Sequence, residues 1–137
     1  MTRAQVGALP QLADLRREAA AANARDLPLT VLISRSDCTF CHEVRVQYLA
    51  PKTREGTMFA VELVSDFRRS VRMADGRMLS NADAARALGG RFFPTVVFLS
   101  AEGRQLAEPI VGAGKGGFYE AFLDDALASA AAKLRGG

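Results

Sequence analysis

Both cysteines and the single histidine of this chain lie in one short stretch, Ser34-Arg35-Ser36-Asp37-Cys38-Thr39-Phe40-Cys41-His42. Thiols spaced C-x-x-C suit redox chemistry when the first begins a helix, where unpaired backbone N–H groups and the helix dipole stabilise a thiolate. Cys38 is then the nucleophile. Cys41, one turn further in and less exposed, is close enough to close a disulfide and serves as the resolving thiol. The reaction is attack of the Cys38 thiolate on a substrate disulfide, a mixed disulfide, and its release by Cys41. The pair is no structural staple, because so small a loop constrains little of the unfolded chain. Two other chemistries fit the same residues. Cys38-Thr39-Phe40-Cys41-His42 also satisfies the C-x-x-C-H attachment signature of c-type haem, with His42 as axial ligand. Zinc needs four ligands, so the cysteines and His42 would require a carboxylate or a second chain.

The elements around this stretch must place it at a strand-to-helix junction. Leu29 to Ile33 is a run of branched apolar residues without polar alternation, which predicts a central strand covered on both faces. Glu43 to Leu49 has helical spacing, and Pro51 with the polar residues up to Gly56 is expected to break the chain there. Met58 to Val64 predicts a second buried strand in which Glu62 is the odd residue, and Phe92 to Leu99 a third, headed by Pro94. A cytochrome domain of this size is usually helical and has no need of such strands, so the dithiol reading is preferred over haem and zinc.

Further out, Leu12, Leu15, Ala19 and Ala22 mark an amphipathic helix over residues 11–25. Asp66 to Met78, with Arg68, Arg69, Arg72 and Arg77 around Asp75-Gly76, predicts a surface excursion folded as a hairpin, its arginines forming a solvated face. Ser80 with Asp83 announces a helix through Ala84, Ala85 and Leu88 that stops at Gly89-Gly90. Arg104 to Leu106 and Ile110-Val111 are expected to return antiparallel beside the third strand. Phe118, Phe122, Leu123, Ala126 and Leu127 mark a C-terminal helix. The order implies an α/β chain with a mixed central sheet and helices on both faces. The expected organisation is a helical extension over 1–25 and one domain over 26–137.

Composition excludes several classes. The 137 residues are 49% hydrophobic, enough for one core, and 18 basic against 15 acidic side chains leave a formal charge of only +3. No nucleic-acid partner is expected. No apolar run reaches membrane-span length and the first 25 residues lack a signal-peptide h-region, so neither membrane insertion nor a leader is expected. Gly112 to Gly117 contains G-x-G-x-x-G, yet too few residues follow to supply a second parallel strand and its ribose-binding acid. That segment is expected to be a flexible loop near the active-site face. No cofactor is expected, and the chain is expected to be a monomer.

Strand, Cys38-Thr39-Phe40-Cys41, helix, strand, helix and then Phe93-Pro94-Thr95 resemble the thioredoxin-like superfamily over residues 26–130. The resemblance implies a thioredoxin-like fold and a thiol–disulfide oxidoreductase acting on protein thiols and disulfides with a redox partner protein. It implies a cis-proline at Pro94 facing the cysteines, with backbone beside it pairing with substrate and Phe93 shaping what docks. The N-terminal helix, the Asp75-Gly76 excursion and the strand from Pro94 to Gly103 are similar to exported bacterial members of the SoxW type, which implies the periplasm; the cytoplasm is the other compartment considered. Phe40 before the second cysteine, with Ser34 upstream, also resembles glutaredoxins, whose reducing partner is glutathione. A redox-inert binding domain on the same fold is a further alternative.

The chain departs from the thioredoxin pattern in several places. It has no tryptophan, and Thr39 and Phe40 replace the usual residues between the cysteines. Asp37 precedes Cys38 and is expected to cap the helix or oppose the thiolate, with Arg35 offsetting it. Thioredoxins bury an aspartate where this chain has Leu32, and Glu62 on the neighbouring strand is a candidate to supply that carboxylate. His42 is either a solvated helix residue or a group that tunes the thiols.

Overall fold

The computed structural model describes residues 7–136, so residues 1–6 of the expected extension, and Gly137, lie outside the described residues. Four strands form one sheet in the order β2-β1-β5-β6. β1 (Leu29–Ser34) is parallel to β2 (Phe59–Val64) and antiparallel to β5 (Thr95–Leu99), which pairs antiparallel with β6 (Ile110–Val111). Every residue of β1 is buried, which is why its sequence shows no alternation. Leu29, Val31 and Ile33 enter one apolar layer, while Leu32 enters the other.

The first layer lies under α1 (Leu15–Asn23), the hairpin β3–β4 (Ser70–Arg72 and Met78–Ser80) and α4 (Asn81–Ala87). α1 starts later than residue 11. Asp14 caps it, accepting from the Arg17 N–H at 3.2 Å, and the Asp14 N–H donates to Glu18 Oε2 at 2.7 Å. Residues 10–13 are instead extended and stitched to two strands: the Glu62 N–H donates to Pro10 O (2.8 Å), Leu12 N–H to Glu62 O (2.9 Å) and Arg72 N–H to Ala13 O (2.9 Å). Leu12 therefore reaches the core from an extended segment, satisfying the edge of β2. The hairpin turns at Asp75-Gly76, where Gly76 has φ +91°. It is more than a surface excursion, because Val71 and Met73 are buried in the layer. Ser80 caps α4 by accepting from the Asp83 N–H. Gly90 has no room for a side chain: a Cβ there would lie 2.6 Å from Ile33 Cγ2.

The second layer lies under the cysteine helix and α5 (Tyr119–Gly136). The cysteine helix does not break at Pro51. It runs as α2 (Thr39–Val44), a π turn (Arg45–Leu49) and α3 (Ala50–Glu55), ending at Gly56 with φ +82°. Pro51 lacks the N–H that would bond the carbonyl of residue 47, and the ladder shifts so that the Ala50 N–H reaches Arg45 O. The helix thus continues through the proline. On α5 the core face is Tyr119, Leu123 and Ala130 with Ala126, Leu127 and Leu134, whereas Phe118 and Phe122 are exposed. The expected face is therefore rotated. Gly-rich residues 112–117 connect β6 to α5, and the Gly112 N–H donates to Pro94 O at 2.8 Å, which sets the start of this loop beside the proline turn.

Candidate functional site

The β1–β5 register pairs Ile33 with Thr95, so the segment after Ser34 and the turn before Thr95 leave the same end of the sheet. The expected third strand accordingly starts at Thr95. Phe92 to Pro94 form a turn in which Thr95 Oγ1 donates to Phe92 O at 2.6 Å and the Phe93–Pro94 peptide is cis. The expectation of a strand from Phe92 follows from the aromatic and β-branched residues on either side of Pro94.

Cys38 occupies the cap position of α2, with extended backbone and its Sγ accepting from the Cys41 N–H at 3.1 Å. It is half-buried, whereas Cys41 is completely buried. The two are joined as a disulfide with Cα atoms 5.2 Å apart. The cysteine at the helix end is therefore the more exposed of the two, and its sulfur takes up the Cys41 N–H of the first turn. Asp37 does not cap the helix, since Cys38 fills that position. It is exposed and pairs with Arg35 Nε at 3.2 Å. The Arg35 guanidinium in turn lies 5.4 Å from the centroid of the Phe93 ring, bridging the cysteine turn and the proline turn. Phe93 is half-buried against the first core layer; Phe40 and Phe92 are exposed. Thr39 and His42 are exposed, and both line an open depression of about 370 Å³ with Ser36, Asp37 and Cys38.

Beneath this surface lies the group that the sequence singled out least specifically. Among the described residues Glu62 is the one charged side chain that is buried. It sits beside Leu32 in the parallel register, one strand away from the position where thioredoxins carry their aspartate. Arg45 holds it in a fork, Nε to Oε1 at 2.7 Å and Nη2 to Oε2 at 2.7 Å, and Ser34 Oγ donates to Oε2. The third guanidinium nitrogen, Nη1, is 3.4 Å from His42 Nδ1. Bidentate pairing and a third donor satisfy a carboxylate that would be costly to bury alone. The structure thus brings Cys38, Cys41, Asp37, Phe93 and Pro94 to one edge, and sets Glu62 under the helix through Arg45.

Arg45 is the residue that sequence reasoning missed in these contacts; Arg35, named beside Asp37 in the sequence, pairs with it and adds a contact to the Phe93 ring. The available signal for Arg45 was its place four residues after Cys41, on the same helical face, opposite a strand with one unexplained acid. No comparable signal announced the ring contact of Arg35. Among the described residues no cluster of three His, Cys, Asp or Glu side chains is arranged to hold a metal. No described helix is long and apolar enough to cross a membrane.

Comparison with known proteins places this geometry. No curated protein sequence matches the chain. Among solved structures, thioredoxin f2 of Chlamydomonas reinhardtii superposes with a TM-score of 0.57 at 14% identity, covering 85% of this chain and 94% of that one. A protein described as DsbH oxidoreductase superposes with a TM-score of 0.56 at 20% identity, covering 93% and 91%. Mitochondrial thioredoxin 3 of Saccharomyces cerevisiae, in its oxidised form, gives 0.53 at 16% identity, covering 85% and 94%. At these identities the superpositions establish the fold. The thioredoxin-like domain family matches residues 15–127, nearly the whole described chain including α1, and this protein belongs to that family.

Proposed function

We propose that the protein is a thiol–disulfide oxidoreductase acting on protein substrates through Cys38 and Cys41. The observation that carries this reading is the asymmetry of the pair: one cysteine partly exposed at a helix cap, its partner wholly buried one turn behind it. In the reducing direction the Cys38 thiolate attacks one sulfur of a substrate disulfide and expels the other as a thiolate. The buried Cys41, once deprotonated, attacks Cys38 Sγ, releases the second substrate thiolate and closes the Cys38–Cys41 disulfide. Two electrons pass from the dithiol to the substrate; oxidation of a substrate dithiol is the same sequence reversed. Phe93 and Pro94, at the same edge as Cys38, provide the backbone against which an extended substrate segment docks. We further propose that it works in the periplasm, a reading supported only by the resemblance of its sequence to exported bacterial members, and that it acts as a monomer with a redox partner protein.

Haem attachment fits the geometry poorly. Both sulfurs must reach one porphyrin, yet Cys41 is enclosed and the depression outside the motif is lined by Cys38 without it. Insulin reduction tests the proposal: wild type is expected to be active with a thiol reductant, and folded Cys38→Ser is expected to fall to the uncatalysed rate. Equal slow rates in both proteins would point to a redox-inert binding domain. A Soret band in protein from a haem-maturing host would point to the cytochrome reading.

A further inference from the structure

We infer that the Arg45–Glu62 ion pair is the electrostatic set-point of the Cys38–Cys41 couple: Glu62 neutralises a cation that otherwise biases Cys41 toward its thiolate. The inference rests on the reading of the two cysteines as a working redox pair. Arg45 lies four residues beyond Cys41 and donates its backbone N–H to Cys41 O, so both side chains share one face of the helix. Side chains on a helix lean toward its N-terminus, which carries the Arg45 side chain back over the turn of Cys41. The 3.4 Å approach of Arg45 Nη1 to His42 Nδ1 shows that it lies along that turn. Glu62, from the adjacent strand, takes the other two nitrogens and a hydroxyl from Ser34.

Little water screens this group, because the Arg45 and Glu62 side chains are 19% and 5% exposed. Its charge acts differently on the two redox states. The oxidised protein has no ionisable group at Cys41, whereas the reduced protein has a thiol that can lose its proton. Conversion of the disulfide takes up two electrons and up to two protons, fewer when a thiolate is favoured. A cation beside Cys41 therefore stabilises the reduced form and makes the couple more oxidising, while an anion does the reverse. Paired, the two nearly cancel. The exposed Arg35–Asp37 pair and His42 lie on the solvent side of this edge.

The sign of the effect separates this role from simple anchoring of the helix. Wild type, Glu62→Gln, Arg45→Gln, Arg45→Lys and the double variant Arg45→Gln/Glu62→Gln are equilibrated with reduced and oxidised glutathione at pH 7, and thiols are counted by alkylation and mass. Glu62→Gln is expected to shift the equilibrium toward the dithiol about tenfold, or ~30 mV. Arg45→Gln is expected to shift it the other way, and the double variant and Arg45→Lys to return close to wild type. Single variants that shift in the same direction, a double variant that shifts at least as far, or no shift at all would overturn the inference. If Arg45→Gln does not fold, Glu62→Gln against the double variant decides, because its shift must vanish when the cation is also removed. A wild-type protein with no reversible couple in glutathione would overturn the proposed function itself.

Discussion

The two faces of the sheet are built from similar apolar residues but carry different burdens. Under α1, the β3–β4 hairpin and α4, the buried apolar layer is Leu, Ile, Val, Ala and Met, and among the described residues no charged side chain is buried in it. Under the cysteine helix and α5, the same sheet presents Glu62 to Arg45, Ser34 donates its hydroxyl to Glu62, and Tyr119 has a buried phenol. A buried charge is expensive in low dielectric, so the confinement of the buried carboxylate to this face marks where the chemistry is held. The apolar face supplies rigidity and the polar face supplies position and charge. A change in either should be visible in stability, but only a change in the polar face should move the redox equilibrium.

Breaking the buried ion pair is expected to have the largest effect. Glu62→Ala leaves Arg45 without its fork, and loss of one partner of a buried pair costs about 3–5 kcal/mol. Urea unfolding of the oxidised protein checks the size, and the glutathione equilibrium should move in the same variant. Leu15→Ala, in the apolar face where Leu15 is 1% exposed, is expected to cost about 2–4 kcal/mol through lost burial and a cavity. Its glutathione equilibrium should match wild type. A shift there comparable to that of Glu62→Ala would erase the distinction between the faces.

The smallest effect belongs to the contact between the cysteine helix and α5. Lys52 Nζ lies 3.1 Å from Glu120 and 3.5 Å from Asp124. Burial pulls the Lys52 ammonium down, but its hydrogen bond to Glu120 and the nearby Asp124 and Glu120 charges outweigh this and hold it above its ordinary 10.5. Burial likewise pushes the Tyr119 phenol up, with Tyr48 against it. Both groups have folded values raised above unfolded ones, so their contribution is complete below pH 10 and is lost as pH rises through the folded values. Thermal unfolding between pH 8 and 11 should show this loss. Lys52→Met should reduce it, by no more than about 1 kcal/mol because both carboxylates are exposed.

Much of this fold was legible because β1 and β2 are uninterrupted apolar runs and the Asp75-Gly76 and Ser80 signals are local. Misplaced boundaries came from partners distant in sequence. Residues 11–13 look helical until Glu62 and Arg72 offer strand edges, and Phe92 looks like strand until Thr95 turns on it. Pro51 looks like a terminator, but the π turn absorbs its missing donor. On α5, Phe118 and Phe122 suggested a core face, yet Tyr119, Leu123 and Ala130 meet the sheet. In the site, Cys38 and Cys41 were announced by spacing alone. Asp37 as a cap was not sustained, because the cysteine backbone takes the cap position. Arg45 could be assigned only once the strand carrying Glu62 was placed beneath its helix.

The central claim is that Cys38 attacks and Cys41 resolves. Trapping tests it most directly: reduced Cys41→Ser and reduced Cys38→Ser are each incubated with a disulfide-bonded protein such as insulin, quenched with alkylating agent and mapped by peptide mass. The account predicts that Cys41→Ser accumulates a mixed disulfide on Cys38, and that Cys38→Ser, with only the buried thiol, accumulates almost none. A mixed disulfide formed as readily on Cys41, or on neither cysteine, would contradict it.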